Sequence, residues 1–91
     1  MTRRVLLITG ERGLHARAAA KLVRLASQFR SDIKLSRRNS VHQVDAKSIL
    51  GILLLAAAQG TELEVTADGE DEKAAVNALE SLVKGRFGEE R

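Results

Sequence analysis

Residues 5–29 read VLLITGERGLHARAAAKLVRLASQF, and the change of period inside this stretch decides the fold. Val5 to Thr9 is a β-branched and aliphatic run closed by Gly10 and Gly13, which predicts a first strand. Beyond the loop, Ala19, Leu22, Val23, Ala26 and Phe29 recur at helical spacing, with Arg17, Lys21, Arg24 and Gln28 on the opposite side. The expectation is an amphipathic helix carrying a basic outer stripe.

Outward from this unit, Ile33 and Leu35 alternate with Asp32, Lys34 and Ser36. An Arg38-Asn39-Ser40 turn then leads to a short strand around Val41 to Val44, so a hairpin is expected. Ile49 to Ala58 is almost wholly apolar and too long for an ordinary strand; it predicts a helix ended by Gly60. Leu63, Val65 and Ala67 alternate with Glu62, Glu64 and Thr66, the mark of a strand with one wet face. Glu70, Asp71 and Glu72 suit a helix N-terminus; Ala75, Ala78, Leu79, Leu82 and Val83 give that helix its apolar face, and Gly85 closes it. The expected order is β-α-β-β-α-β-α. Strands with one polar face imply an α+β open-faced β-sandwich, a four-stranded antiparallel sheet with three helices on one face.

With 91 residues, the chain is expected to form a single domain spanning 1–91. It has no cysteine, so neither disulfides nor thiolate metal sites support it, which fits a reducing cytoplasm. No apolar run reaches the roughly 18 residues needed to span a bilayer. Residues 1–48 hold eleven Lys or Arg against three Asp or Glu, and residues 49–91 hold four against nine. The basic surface therefore belongs to the first half, and it favours an acidic partner. Phe29 and Phe87 are the only aromatics, too few to serve as stacking platforms for single-stranded nucleic acid.

Chemistry concentrates at Gly13-Leu14-His15-Ala16-Arg17, between the first strand and the first helix. A helix start gathers unpaired backbone N–H groups, here those of Ala16, Arg17 and Ala18, into an anion site. A neutral imidazole is a competent nucleophile near pH 7 and can carry a phosphoryl group. Arg17 adds a planar fork of donors for phosphate oxygens. Nothing calls for a cofactor or a metal. His42, the other histidine, is assigned no role.

The segment Gly13-Leu14-His15-Ala16-Arg17-Ala18-Ala19 closely resembles the phosphorylation-site motif of the HPr family of the bacterial phosphotransferase system. Lys47-Ser48-Ile49-Leu50-Gly51 is similar to that family's regulatory-serine segment, and the seven-element order matches over nearly the whole chain. The resemblance implies a phosphocarrier, not an enzyme. His15 would accept phosphate from Enzyme I, which draws on phosphoenolpyruvate, and donate it to a IIA domain, with Arg17 as the active-site arginine. It further implies that a serine kinase acts on Ser48 at the start of the second helix. Ile49, Leu50 and Leu53 would form an apolar docking patch there, beside the basic Lys21 and Arg24. Leu53 suits the core equally well, and Ser48 suits a simple helix cap.

One departure from the family pattern is Ala18, where members usually carry proline. Proline would restrain the residue before it, so alanine leaves Arg17 less preorganised while restoring one N–H donor. Both the sugar-uptake branch and a nitrogen-type regulatory branch stay open. A rival reading takes Gly10-Glu11-Arg12-Gly13 as the GxxG loop of a KH domain. Here a strand precedes the loop where a helix should, and Glu11 would face phosphate, so nucleic acid is not expected as a partner. An enzyme using His15 as general base lacks a paired acid and metal-spaced ligands. The expected state is a cytoplasmic monomer that meets other proteins and no membrane.

Overall fold

The structure is a computed structural model and describes residues 1–88. Its elements are β1 (Thr2–Leu7), α1 (Ala16–Ala26), β2 (Asp32–Arg37), β3 (Val44–Asp45), α2 (Ile49–Leu54), β4 (Glu62–Asp68) and α3 (Glu72–Lys84), followed by a 3-10 turn at Arg86–Gly88. The sheet order is β1-β4-β2-β3, with every neighbouring pair antiparallel. The expected element order and open-faced sandwich are both present.

The alternation along β4 explains the layering. Leu63, Val65 and Ala67 are buried, together with Leu6, Ile33 and Leu35 from the flanking strands. Glu62 and Asp68 are exposed. Against the inner face lie Ala19, Leu22 and Ala26 of α1, Ile52 of α2, and Val76, Leu79 and Val83 of α3. Each large aliphatic side chain removed from water contributes about 1.5–3 kcal/mol.

Several boundaries differ from the sequence expectation. β1 begins at Thr2 and ends at Leu7, because Thr2 to Leu7 face Ala67 to Glu62 in register. Ile8 continues the pairing less regularly, its N–H donating to Thr61 and its carbonyl accepting from Gly60. β3 shrinks to Val44–Asp45; Val41, His42 and Gln43 are exposed and lie outside the ladder. Asn39, at φ +70°, bends the chain into a wider turn than a two-residue hairpin needs.

The largest correction concerns α2, which stops at Leu54 although the apolar run continues to Ala58. Ala56 turns left-handed at φ +48°. Arg37 reaches from the end of β2 and donates through Nε to the Leu55 carbonyl at 3.0 Å and through a terminal nitrogen to Ala56 at 2.8 Å. The carbonyls that another helical turn would have satisfied are thus taken by a guanidinium 18 residues upstream. Gly60, expected to end the helix, instead turns at φ +90° into β4.

The acidic cluster before α3 also acts across the fold. Asp71 accepts from the hydroxyl and N–H of buried Ser31 and from the N–H of Arg30, which fixes the α1–β2 connection. The Ser31 hydroxyl above all, then the Arg30 N–H, holds the Asp71 carboxyl at about 2, below its usual 3.8. Glu72 accepts from the Thr2 hydroxyl, the terminal amine and the Gly69 N–H, and lies at about 2 instead of 4.5.

Candidate functional site

His15 is the residue from which α1 springs. Its backbone is extended, with φ −76° and ψ 177°, and its carbonyl accepts the N–H of Ala19 at 2.8 Å. Its side chain makes no capping hydrogen bond to the helix, and the first turn of α1 contains no acidic residue. The first-turn N–H groups and the positive end of the helix dipole therefore face a site without a carboxylate from that turn.

The loop is held on both sides of this histidine. Leu14 is buried, and its N–H donates to the Ala57 carbonyl at 2.7 Å. Gly13 adopts φ +61° and presses against the segment after α2, so that a Cβ there would stand 2.5 Å from the Ala57 oxygen and 2.8 Å from the Ala58 Cα. After the histidine, Ala18 and Ala19 are completely buried. The half-buried His15 thus sits between two core anchors, Leu14 before it and Ala18 with Ala19 after it.

Ala16 and Arg17 follow on the exposed side of the first turn. Arg24 is exposed farther along α1, whereas Lys21 is half-buried and donates from Nζ to the Phe87 carbonyl at 2.7 Å. Part of the basic stripe is therefore committed to holding the C-terminal turn. The buried ring of Phe87 belongs to this anchor, and sequence reasoning did not assign it to the core. Its isolation beyond Gly85 gave no periodic signal.

Ser48 precedes α2 with φ −113° and ψ 117°, and its Oγ accepts the Gly51 N–H at 3.2 Å. Of the apolar run behind it, Ile52 and Leu55 enter the core. Ile49 at 40%, Leu50 at 71% and Leu53 at 39% remain exposed, as does Leu54 at 79%. Leu53 therefore lies on the outer face. Leu54 was not singled out from sequence, although its i,i+4 relation to Leu50 would have placed the two together. Helices α1 and α2 pack against each other, and the Leu14–Ala57 bond ties the histidine loop to the end of α2 opposite Ser48. His42 is exposed before β3.

Among the described residues no group of His, Asp or Glu is arranged to hold a metal ion, and no helix is long and apolar enough to cross a membrane.

Residues 2–85 match the family described as "PTS HPr component phosphorylation site". The phosphocarrier protein HPr of Xylella fastidiosa strain 9a5c is 51% identical over 85 residues, 93% of each chain. Among solved structures, an HPr from Thermoanaerobacter tengcongensis superposes with a TM-score of 0.92 at 42% identity, covering 100% of both chains. A structure of an HPr dimer from the same organism gives 0.75 at 42% identity, covering 98% of this chain and 100% of that one. The curated relatives are named as phosphocarriers, proteins that carry a group and are not themselves catalysts. The chain belongs to the HPr family of phosphocarriers of the phosphotransferase system.

Proposed function

We propose that His15 is the residue that carries the phosphoryl group, received from Enzyme I and passed to a IIA domain. The observation that carries this reading is the placement of His15 at the start of α1 with its side chain unused for capping. A ring nitrogen attacks the phosphorus as the bond to the donor breaks, and the ring proton released returns to the donor group. The phosphoryl oxygens then lie toward the N–H groups of Ala16, Arg17 and Ala18, with the Arg17 guanidinium supplying charge-assisted hydrogen bonds. The partners bring the phosphoryl donor and any metal, while this chain supplies the nucleophile.

Docking is assigned to the exposed apolar residues Ile49, Leu50 and Leu53 together with the cationic Lys21 and Arg24. This pairing of an apolar patch with a basic rim suits an acidic partner surface. Ser48 is assigned as a target of a serine kinase, its phosphate falling at the border of that patch. Residues 1–91 act as one phosphocarrier domain, cytoplasmic and monomeric, with no nucleic-acid or membrane partner. The branch served is either sugar uptake or nitrogen-type regulation, since Ala18 departs from the usual proline.

Incubation with phosphoenolpyruvate and a panel of Enzyme I proteins, followed by intact mass, tests the core of this reading. Gain of one acid-labile phosphoryl group that maps to His15 supports it. Phosphate on another residue, or none with any donor, overturns it.

A further inference from the structure

Past Leu54, at the end of α2 away from Ser48, the exposed apolar face of the helix runs on into a groove. The turn between β2 and β3 and the end of α2 enclose an open groove of about 450 Å³, lined by Arg37, Ser40, His42, Gln43, Val44, Leu54 and Leu55. We propose that this groove is an additional docking site, for an acidic segment of a partner protein that also presents an apolar side chain.

Every polar residue on the lining offers an N–H or O–H donor, and no carboxylate is among them. Arg37 is held by two carbonyls at the end of α2 and makes no ion pair among the described residues. Its neighbour Arg38, by contrast, faces Glu62 at 3.2 Å. The Arg37 guanidinium is thus oriented while one terminal nitrogen is not engaged by those carbonyls, and a partner carboxylate can complete it. The apolar component is equally specific. Leu54 is 79% exposed on the lining, Val41 is 91% exposed in the adjoining turn, and Val44 and Leu55 form the floor. Exposed large aliphatic side chains beside a cation that no carboxylate on the lining neutralises suit an interface better than open solvent.

The test titrates the ¹⁵N-labelled full chain with the capped peptide EDLFDE and with its basic counterpart KKLFKK. Binding of the acidic peptide should shift the amides of Ser40, His42, Val44, Leu54 and Leu55 saturably, while the basic peptide leaves them unmoved. Leu54→Ser should weaken binding by about tenfold at an unchanged melting temperature, as expected for an exposed hot-spot residue. His42→Ala should weaken it less and should leave phosphorylation of His15 at the wild-type rate. Shifts centred on Arg17 and Arg24, equal response to both peptides, or no saturable shift would each overturn the proposal. None of those results bears on whether His15 carries phosphate, which the mass experiment decides separately.

Discussion

Gly13 and Ala57 lie so close that a Cβ on the glycine would stand 2.5 Å from the Ala57 carbonyl oxygen, the same oxygen that accepts the Leu14 N–H at 2.7 Å. Two restraints therefore meet immediately before His15. The glycine is needed both for its φ of +61° and for its lack of a side chain. Gly13→Ala should destabilise the protein by about 2–5 kcal/mol, combining left-handed backbone strain with overpacking. Urea unfolding measures the loss, and a midpoint near wild type would show that the loop can shift away from Ala57.

His15→Ala should abolish the acid-labile phosphate while the chain still folds, because the imidazole caps nothing in α1 and Leu14 and Ala18 anchor the loop from either side. Arg17→Ala should slow phosphoryl transfer by about 100-fold, as loss of one donor to a developing anion does elsewhere. Arg17→Lys should recover only part of the rate, since an ammonium lacks the planar fork. Rapid-quench phosphorylation by Enzyme I separates the three variants. Equal rates for Arg17→Ala and wild type would remove Arg17 from the site.

Ser48 distinguishes a cap from a switch. Its Oγ accepts the Gly51 N–H at the start of a helix only six residues long, so Ser48→Ala should cost about 1 kcal/mol. Ser48→Asp keeps an acceptor at that position and adds charge where the helix dipole favours it, so its melting temperature should stay near wild type. If Enzyme I docks on exposed Ile49 and Leu50 beside Arg24 as proposed, the same charge should raise its KM by repelling an acidic partner surface. An unchanged KM would leave Ser48 as a cap alone.

Acid sensitivity should centre on Asp71 and Glu72. Each carboxyl titrates lower in the folded chain than in the unfolded one, at about 2 against 3.8 for Asp71 and about 2 against 4.5 for Glu72. Such groups add stability that is complete above the unfolded value and is lost as pH falls toward 2. Asp71→Asn should therefore lower the melting temperature by several degrees at pH 7 and by progressively less between pH 4 and pH 2. A constant difference across that range would mean that shape, not charge, fixes the Ser31 contact.

How far the sequence could be read depended on whether the deciding contact was local. α1 was legible because Ala19, Leu22 and Ala26 carry its period and all three are buried. β4 was legible because Leu63, Val65 and Ala67 alternate into the core. The end of α2 was not legible, since nothing in Leu55-Ala56-Ala57-Ala58 signals a stop and the cap arrives from Arg37. Phe87 was missed for the same reason, its anchor being Lys21 in another helix. At the site, local pattern marked only the helix starts at His15 and Ser48, while the roles proposed for the two residues came from the family resemblance. Leu53 suited docking and core equally, because an apolar run carries no polar stripe to say which face is buried, and Leu54 was marked only by its i,i+4 spacing from Leu50.

Ala18→Pro tests the departure from the family pattern. Ala18 is the third residue of α1 and is completely buried, which at first argues against a larger side chain. The ring of proline, however, closes back onto its own nitrogen, and in the first turn that nitrogen points along the helix axis toward His15 rather than into the core. No intrahelical bond is lost there, so stability should rise by about 0.4–1 kcal/mol through the narrower unfolded ensemble. The gain comes with the loss of one first-turn N–H, which the proposed function would turn toward the phosphoryl group. Phosphohistidine in this variant should therefore hydrolyse faster or transfer with altered rate, even as the unphosphorylated protein melts slightly higher. Calorimetry and the decay of the phosphorylated mass peak measure the two effects independently. A large fall in melting temperature would mean that the ring meets the core after all, and an unchanged phosphate lifetime would remove the Ala18 N–H from the anion site.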